Sequence, residues 1–440
     1  MNELSSAEPP GEQKGRARPF LWASSTYFAE GLPWSVLHQL AAEYFTSQGL
    51  APSLVGKTSL LHAPMLMKAF VSPLLERLLS LRSWMVGTQL AMGGAILAIA
   101  WQAERGEPSG AVLWGLLLLV GLLSALHDIS CDGYYMAQLD DRDQARWSGL
   151  RVAAFRAAML VGSSGLVYLG GTFGFGVGFG LAALLLLMLA VFHQRWLPRS
   201  LASTAISGET SSFSSYLSFV RQPSAVLILL FLVLYKVADV LMFSMSKVLL
   251  DQELGMATDV RGLLGFFSTG ASILGAVVGG IWVARSGLQR ALFPITLLMA
   301  VTEPLYALLA TFAPALRLAL PGQLATLGSL SVEQHGPALL AIGTVVVTEQ
   351  ICGGFATAAQ VVFIMRRCDP LHRTAHYAFA TVVYSLAHIV FGSSSGYLYE
   401  ALGATFYYWC VSFLALPAVI LARLVPTNAR GASSAAATSG

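Results

Sequence analysis

Two aspartates, Asp128 and Asp132, close a strongly apolar segment and are four residues apart. On a helix this spacing places both carboxylates on one face. The preceding residues, 111–125, are dominated by Leu, Val, Gly and Ala. An acid inside a bilayer costs roughly 2.5 to 3.5 kcal/mol on insertion scales, so its presence usually indicates a function. Either aspartate could bind and release a proton, or could instead cap a helix or form a salt bridge.

Further ionisable residues lie inside apolar stretches. Glu30 precedes Gly31 and Pro33, which loosen a helix and suit a bend beside a cavity. Lys236 and Asp239 are three residues apart and can pair on one face. Such a pair could lower the cost of insertion, or could exchange partners during a transport cycle. We predict Glu30 and Asp239 as proton-coupling candidates and Lys236 as a substrate-binding candidate.

Cations inside the predicted spans indicate an anionic solute. Lys68 lies between two prolines, and Arg151 and Arg156 lie in the first turns of a predicted helix. Arginine can bind a carboxylate or phosphate through two hydrogen bonds. The alternative is snorkelling to lipid headgroups, which is easier for Arg151 than for Arg156. We predict that Lys68 and Arg156 contact the solute. Aromatic residues predicted as solute contacts or as interface anchors are Tyr27, Trp34, Tyr134 and Tyr235.

The composition is that of an integral membrane protein. Of 440 residues, 55% are hydrophobic and 11% are charged, whereas soluble domains carry about 25% charged residues. Apolar runs of about 20 residues recur, which favours transmembrane helices over a barrel. The net charge of +3 is spread among loops and indicates no nucleic-acid partner. The four cysteines lack metal-ligand spacing, so we expect free thiols, no metal and no cofactor.

The hydropathy pattern predicts an all-α fold with about twelve transmembrane helices in two groups of six. Every second connection is rich in Lys and Arg, which predicts that both termini are cytoplasmic. The predicted regions are a disordered cytoplasmic N-terminus (1–19), a six-helix bundle (20–195), a cytoplasmic linker (196–222), a second six-helix bundle (223–424) and a disordered tail (425–440).

The two halves also repeat in sequence. Asp128 aligns with Glu349, and Asp132 aligns with Gly353 at the same offset. Further along, the segment 163–165 recurs at 394–396. Matches in consistent order predict the parallel duplication found in major facilitator transporters, whose binding site lies between the halves. Glu349 therefore joins Asp128 as a proton-coupling candidate.

One motif is shared with an enzyme class. Residues 162–165, GSSG, match a pattern of intramembrane serine proteases in which Ser164 would be the nucleophile. The repeat places SSSG at 393–396, and duplicated small residues are expected where helices pack closely. We therefore predict close helix packing at these positions and no enzymatic activity.

Several ordered motifs together resemble the AmpG-type muropeptide permeases of the major facilitator superfamily. The resemblance covers nearly all of residues 20–424. The motifs are EGLPW at 30–34, KAFVSPLLER at 68–77 with Trp84 and Gln89, HDISCDGYY at 127–135, FRAAMLVGSSG at 155–165, LYKVADVL at 234–241, LGAVVGGIWVARSGLQRAL at 274–292, EQICGGFATAAQVVFIMRRCD at 349–369 and GSSSGYLYEALG at 392–403.

The resemblance implies proton-driven import of N-acetylglucosaminyl-anhydromuramyl peptides across a bacterial inner membrane by a monomer. It places Asp128 and Asp132 on the family's acidic pair. The chain departs from the family at His127, where Gln is usual, and at Glu76 and Ala284, where Asp is usual. Alternatives are a siderophore or acyl-coenzyme A permease, and a membrane sensor of cell-wall fragments that does not transport.

Overall fold

The computed structural model describes residues 19–67, 71, 79–106, 110–139, 141–198, 213–320, 332–369 and 373–427. Within these ranges the regular elements are helices, which confirms the predicted class. In this part of the chain, nine helices are long and apolar enough to cross a membrane. Helical segments at 19–47, 52–67 and 373–402 complete the twelve.

The first half contains six membrane helices within the described residues. The second of them is described as far as Met67, so the predicted contact Lys68 lies outside the described residues. The six are α1 (19–47), α2 (52–67), α3 (Leu81–Glu104), α4 (Ala111–Gln138), α5 (141–173) and α6 (Phe175–Trp196).

The second half repeats this arrangement. A short helix that the sequence did not predict, Phe213–Val220, lies in the linker region, and another, Ala313–Ala319, follows the third helix of this half. The six membrane helices are α7 (Ala225–Glu253), α8 (Thr258–Ser286), α9 (Leu288–Thr311), α10 (Val332–Arg367), α11 (Arg373–Leu402) and α12 (Ala404–Leu424). We refer to the end where α1, α3 and α5 begin as the basic end, and to the other as the opposite end.

The helices that meet between the halves are irregular. A π-helical turn interrupts α1 at Val36–Leu40, α5 at Val161–Leu166 and α7 at Leu249–Glu253, and α2 continues as a 3-10 helix over Lys57–Met67. Such turns depart from the regular hydrogen-bond ladder and are frequent at functional sites. In α1, the carbonyl oxygens of His38 and Gln39 in such a turn accept hydrogen bonds from a side chain of the other half.

Glycines allow the halves to approach closely at two crossings. A Cβ atom at Gly265 of α8 would lie 2.5 Å from the carbonyl oxygen of Ser163 in α5. In the other crossing, a Cβ atom at Gly56 of α2 would lie 3.0 Å from the backbone nitrogen of Gly396 in α11. Both crossings use the repeated Gly-Ser segments, so the prediction of close helix packing at 162–165 and 393–396 is confirmed.

Candidate functional site

A polar cavity of about 140 Å³ lies between the two halves. The first half contributes Trp34, which the sequence predicted as a solute contact, and the predicted cation Arg156. The second half contributes Lys247 and Gln350. Pockets for drug-sized ligands occupy about 300 to 1,000 Å³. A solute as large as a glycopeptide therefore requires this cavity to widen.

Two cations from opposite halves line the cavity, in addition to the ion-paired Arg261 of the second half. Arg156 lies on α5, and Lys247 lies on α7. The Lys247 ammonium donates to the carbonyl oxygens of His38 (3.2 Å) and Gln39 (3.3 Å) in the π-helical turn of α1. The ion pairs of the described residues include neither cation. The sequence reading missed Lys247, although an ionisable residue within an apolar span is itself a signal.

Asp132 is held by two neighbours in the first half. The Tyr27 hydroxyl donates to Asp132 Oδ1 at 2.6 Å, and Arg151 Nη1 lies 3.4 Å from the same oxygen. The Arg151 guanidinium also lies 4.5 Å from the centroid of the Tyr27 ring, within the range of a cation–π contact. Tyr27 thus contacts a candidate proton-binding acid. Arg151 pairs with that acid rather than reaching only to headgroups.

The remaining acids of the first half are more deeply buried. Glu30 and Asp128 are each 9% exposed, whereas the Asp132 side chain is 41% exposed. Glu30 acts electrostatically on Tyr27 and Arg151, so it belongs to the same cluster. The side chains around the central cavity do not include Glu30, Asp128 or Asp132. These three acids, on α1 and α4, therefore lie outside the lining of the cavity.

His127 belongs to a separate buried chain of polar groups. Its Nε2 lies 2.8 Å from Gln89 Nε2, and Gln89 Oε1 lies 2.9 Å from His193 Nδ1. His193 Nε2 in turn lies 2.9 Å from the Ser25 hydroxyl. The chain joins α4, α3, α6 and α1. His127, which stands where the resembled family carries Gln, therefore contributes to packing within the first half.

The acids of the second half meet around Gly353. Lys236 Nζ lies 3.0 Å from Asp239 Oδ2 next to a break in α7, as the spacing predicted. Glu349 Oε2 accepts a hydrogen bond from Gln350 Nε2 at 2.8 Å. A Cβ atom at Gly353 would lie 3.3 Å from Glu349 Oε1 and 3.6 Å from Asp239 Oδ1. Because Gly353, the repeat counterpart of Asp132, has no side chain, both carboxylates lie beside the space that a side chain would fill.

Two predicted aromatic contacts have packing partners instead. The Tyr134 hydroxyl donates to the carbonyl oxygen of Pro198 at 2.8 Å. The Tyr235 hydroxyl donates to the carbonyl oxygen of Ala356 at 3.0 Å. Of the four predicted aromatic contacts, Trp34 is the one that lines the cavity.

Three histidines meet where α1, α2 and α11 converge. The ring centroids of His38 and His62 are 5.3 Å apart, and those of His62 and His388 are 5.5 Å apart. His62 Nε2 also lies 3.3 Å from the Ser385 hydroxyl, across the two halves. These histidines therefore lie at the contact between the halves.

An ion cluster that the sequence reading did not select joins the halves near the opposite end. Arg261 of α8 donates to Glu43 of α1 at 2.9 Å and to Asp251 of α7 at 2.5 Å. The Arg261 side chain is 1% exposed. Arg261 also donates to the Thr258 hydroxyl and to the carbonyl oxygen of Met256. Glu43 and Arg261 also line the cavity, so the cluster forms part of its wall.

In the part of the chain that the structure describes, the membrane helices form two repeated halves with a cavity between them, which is the architecture of a membrane transporter rather than of an enzyme. The chain belongs to the Major Facilitator Superfamily, whose family model matches residues 20–350.

Similar proteins match this chain over nearly its whole length. An anhydromuropeptide permease of Escherichia coli (strain K12) is 26% identical over 415 residues, covering 90% of this chain and 77% of that protein. An uncharacterized protein of Haemophilus influenzae is 27% identical over 418 residues, covering 92% of this chain and 93% of the other. The crystal structure of the nucleoside transporter NupG superposes with a TM-score of 0.65 at 14% identity, over 92% of this chain and 98% of that one. At that identity the structural match shows the fold alone.

Proposed function

We propose that this multi-pass membrane protein is a proton-coupled importer of cell-wall-derived muropeptides in the bacterial inner membrane. The observation that carries the proposal is the cavity between the halves, which is lined by Arg156 from the first half and by Lys247 and Arg261 from the second. The buried Glu43 lies in its wall, and the lining residue Gln350 donates to the buried Glu349. A muropeptide carries carboxylates that such cations can bind. The similarity to an anhydromuropeptide permease over 90% of the chain supports this substrate class.

The halves, 20–195 and 223–424, move against each other around the cavity in this proposal, with both termini in the cytoplasm and one chain as the transporting unit. Arg156 and Lys247 bind the anionic groups of the solute. The coupling protons bind among Glu30, Asp128, Asp132, Asp239 and Glu349. Lys236, which we predicted as a solute contact, is paired with Asp239 and is better suited to balancing the charge of that acid.

Uptake by purified protein in proteoliposomes tests the proposal. Labelled N-acetylglucosaminyl-anhydromuramyl peptide should accumulate inside the vesicles only when a proton gradient is directed inward. Uptake of a siderophore or an acyl-coenzyme A ester in place of the muropeptide would overturn the substrate. Tight binding of the muropeptide without any uptake would instead indicate a sensor.

A further inference from the structure

A buried glutamate on α9, Glu303, has no role in the site described above. Its side chain is 2% exposed, and its Oε2 atom has no hydrogen-bond partner. An unpaired charge at such a position is costly, because neither water nor a counter-ion replaces its hydration. The position therefore requires either a compensating cation or a bound proton.

The surroundings of Glu303 contain more negative than positive groups. The charged side chains that act on it are Asp239 and Lys236 of α7 and Glu349 of α10. Lys236 already pairs with Asp239 at 3.0 Å, so the buried Glu303 and Glu349 and the partly exposed Asp239 share one ammonium. The other ionisable neighbours are the phenols of Tyr306, Tyr407 and Tyr408, which cannot neutralise a carboxylate.

The existing hydrogen bonds indicate which acid holds the proton. Asp239 Oδ2 accepts from Lys236, and Glu349 Oε2 accepts from Gln350. Both of these carboxylates therefore have a donor that stabilises the ionised form. Glu303 Oε2 has none. We propose that Glu303, rather than its neighbours Asp239 and Glu349, is the proton-binding residue of the second half. This role rests on the proposed transport function but concerns a site separate from Asp128 and Asp132.

The cavity reaches this site through two side chains. Tyr306, one turn after Glu303 on α9, lines the cavity, and so does Gln350, which donates to Glu349. A solute that takes the Gln350 amide removes the donor that stabilises the Glu349 charge. Protonation of a carboxyl group in this cluster then becomes more favourable. Solute binding and proton binding in the second half are therefore linked through Gln350.

Infrared difference spectroscopy on the full chain in lipid tests the proton directly, without any solute. The wild-type protein should show the carbonyl band of a protonated carboxyl group at neutral pH, and Glu303→Gln should lose it. Glu303→Asp should retain a shifted band. Glu104→Gln, which changes an exposed acid at the opposite end of α3, should leave the band unchanged. An unchanged band in Glu303→Gln would overturn the proposal.

Transport then distinguishes coupling from a structural role. One coupled proton supports about tenfold accumulation per pH unit, since one unit corresponds to a factor of ten in equilibrium. Glu303→Gln should lose this factor but retain solute exchange at equal concentrations, which also shows that it is folded. Accumulation driven by a sodium gradient and abolished in Glu303→Gln would assign sodium, not a proton, to the site and overturn the proposal. If the wild-type protein transports no muropeptide, the substrate proposal fails while the infrared result stands.

Discussion

Asp128 and Asp132 of the first half have different surroundings, which suit them to different roles. Asp132 has a hydroxyl and a guanidinium at its carboxylate, and both stabilise the ionised form. Asp128 lies one turn earlier and is buried at 9% exposure. A permanent charge is costly at a buried position inside a membrane helix, and less costly on the partly exposed Asp132 side chain. Asp128 is therefore the better candidate for cyclic protonation.

This difference predicts distinct outcomes for the two amide variants. Asp128→Asn should reduce gradient-driven accumulation to the level without a gradient, because an amide cannot exchange a proton in this range. Solute exchange at equal concentrations should persist. Asp132→Asn should also weaken exchange, because Arg151 loses its partner. The measurement is uptake into proteoliposomes with and without an inward proton gradient. Full accumulation by both variants would remove these acids from the coupling mechanism.

The two cavity cations lead to a prediction about solute affinity. A hydrogen bond to a charged group contributes about 1.5 to 3 kcal/mol, so Arg156→Ala and Lys247→Ala should each raise the KM for an anionic solute about tenfold or more. Initial uptake rates over a range of solute concentrations measure this. Arg105→Ala is the control, since this exposed guanidinium stacks 3.6 Å from the Trp101 ring centroid. An unchanged KM in both cavity variants would contradict an anionic solute.

At the level of elements, the approach of α5 to α8 depends on glycine. Gly265→Ala would place a methyl group 2.5 Å from the Ser163 carbonyl, whereas Gly270→Ala on the same helix would have nothing within 4 Å. Overpacking costs about 1 to 3 kcal/mol. Gly265→Ala should therefore lower the midpoint of thermal unfolding, and Gly270→Ala should not. Equal midpoints for the two variants would show that this crossing tolerates separation.

Hydropathy and internal repetition were sufficient to predict the elements. Their length and order follow from local sequence, because a bilayer requires about 20 apolar residues per helix. The partners of the acids could not be predicted in the same way. The helical period places Asp128 and Asp132 on one face but does not say that this face meets Tyr27, because tertiary packing sets the rotation of each helix. The repeat aligned Gly353 with Asp132 but could not show that α7 supplies Asp239 beside it.

Lys247 and Glu303 were missed for a related reason. Each is a single ionisable residue in an otherwise apolar segment, with no motif around it. A lone lysine near the end of a span is compatible with snorkelling. A glutamate before Pro304 is compatible with a helix bend. Only the positions of neighbouring helices show that one lines the cavity and that the other lies among acids.

At the scale of the whole molecule, the Arg261 cluster keeps the opposite end closed. It joins α1 of the first half to α7 and α8 of the second, and Arg261 is almost completely buried. Removing one member of a buried ion cluster leaves its partners uncompensated and costs about 3 to 5 kcal/mol. Arg261→Ala should therefore shift the population towards a conformation that is open at this end.

Spin labels can measure this shift. Gln48 is exposed between α1 and α2, and Leu318 is 90% exposed on the short helix after α9, so cysteines at these positions report on the two halves. The background carries Cys410→Ser, because Cys410 is less buried than the other native thiols. Arg261→Ala should lengthen the distance between the labels. Arg105→Ala, also near the opposite end, should not. Matching distance distributions for the two variants would exclude the cluster as the closure.

The Nζ atom of Lys247 is involved both in the proposed binding of the solute and in the contact between the halves. Its ammonium already donates to two carbonyl groups of α1, so an anion that takes more than the one remaining N–H donor must compete with the backbone of the other half. Breaking the hydrogen bonds between Lys247 and the α1 carbonyls costs free energy, which weakens solute binding while the halves are joined. Once the halves separate, this cost is no longer part of solute binding. A higher affinity for the solute therefore accompanies a weaker contact between the halves. A compound that bound Lys247 without breaking its hydrogen bonds to the α1 carbonyls would occupy the cavity and stabilise the conformation in which the halves are joined.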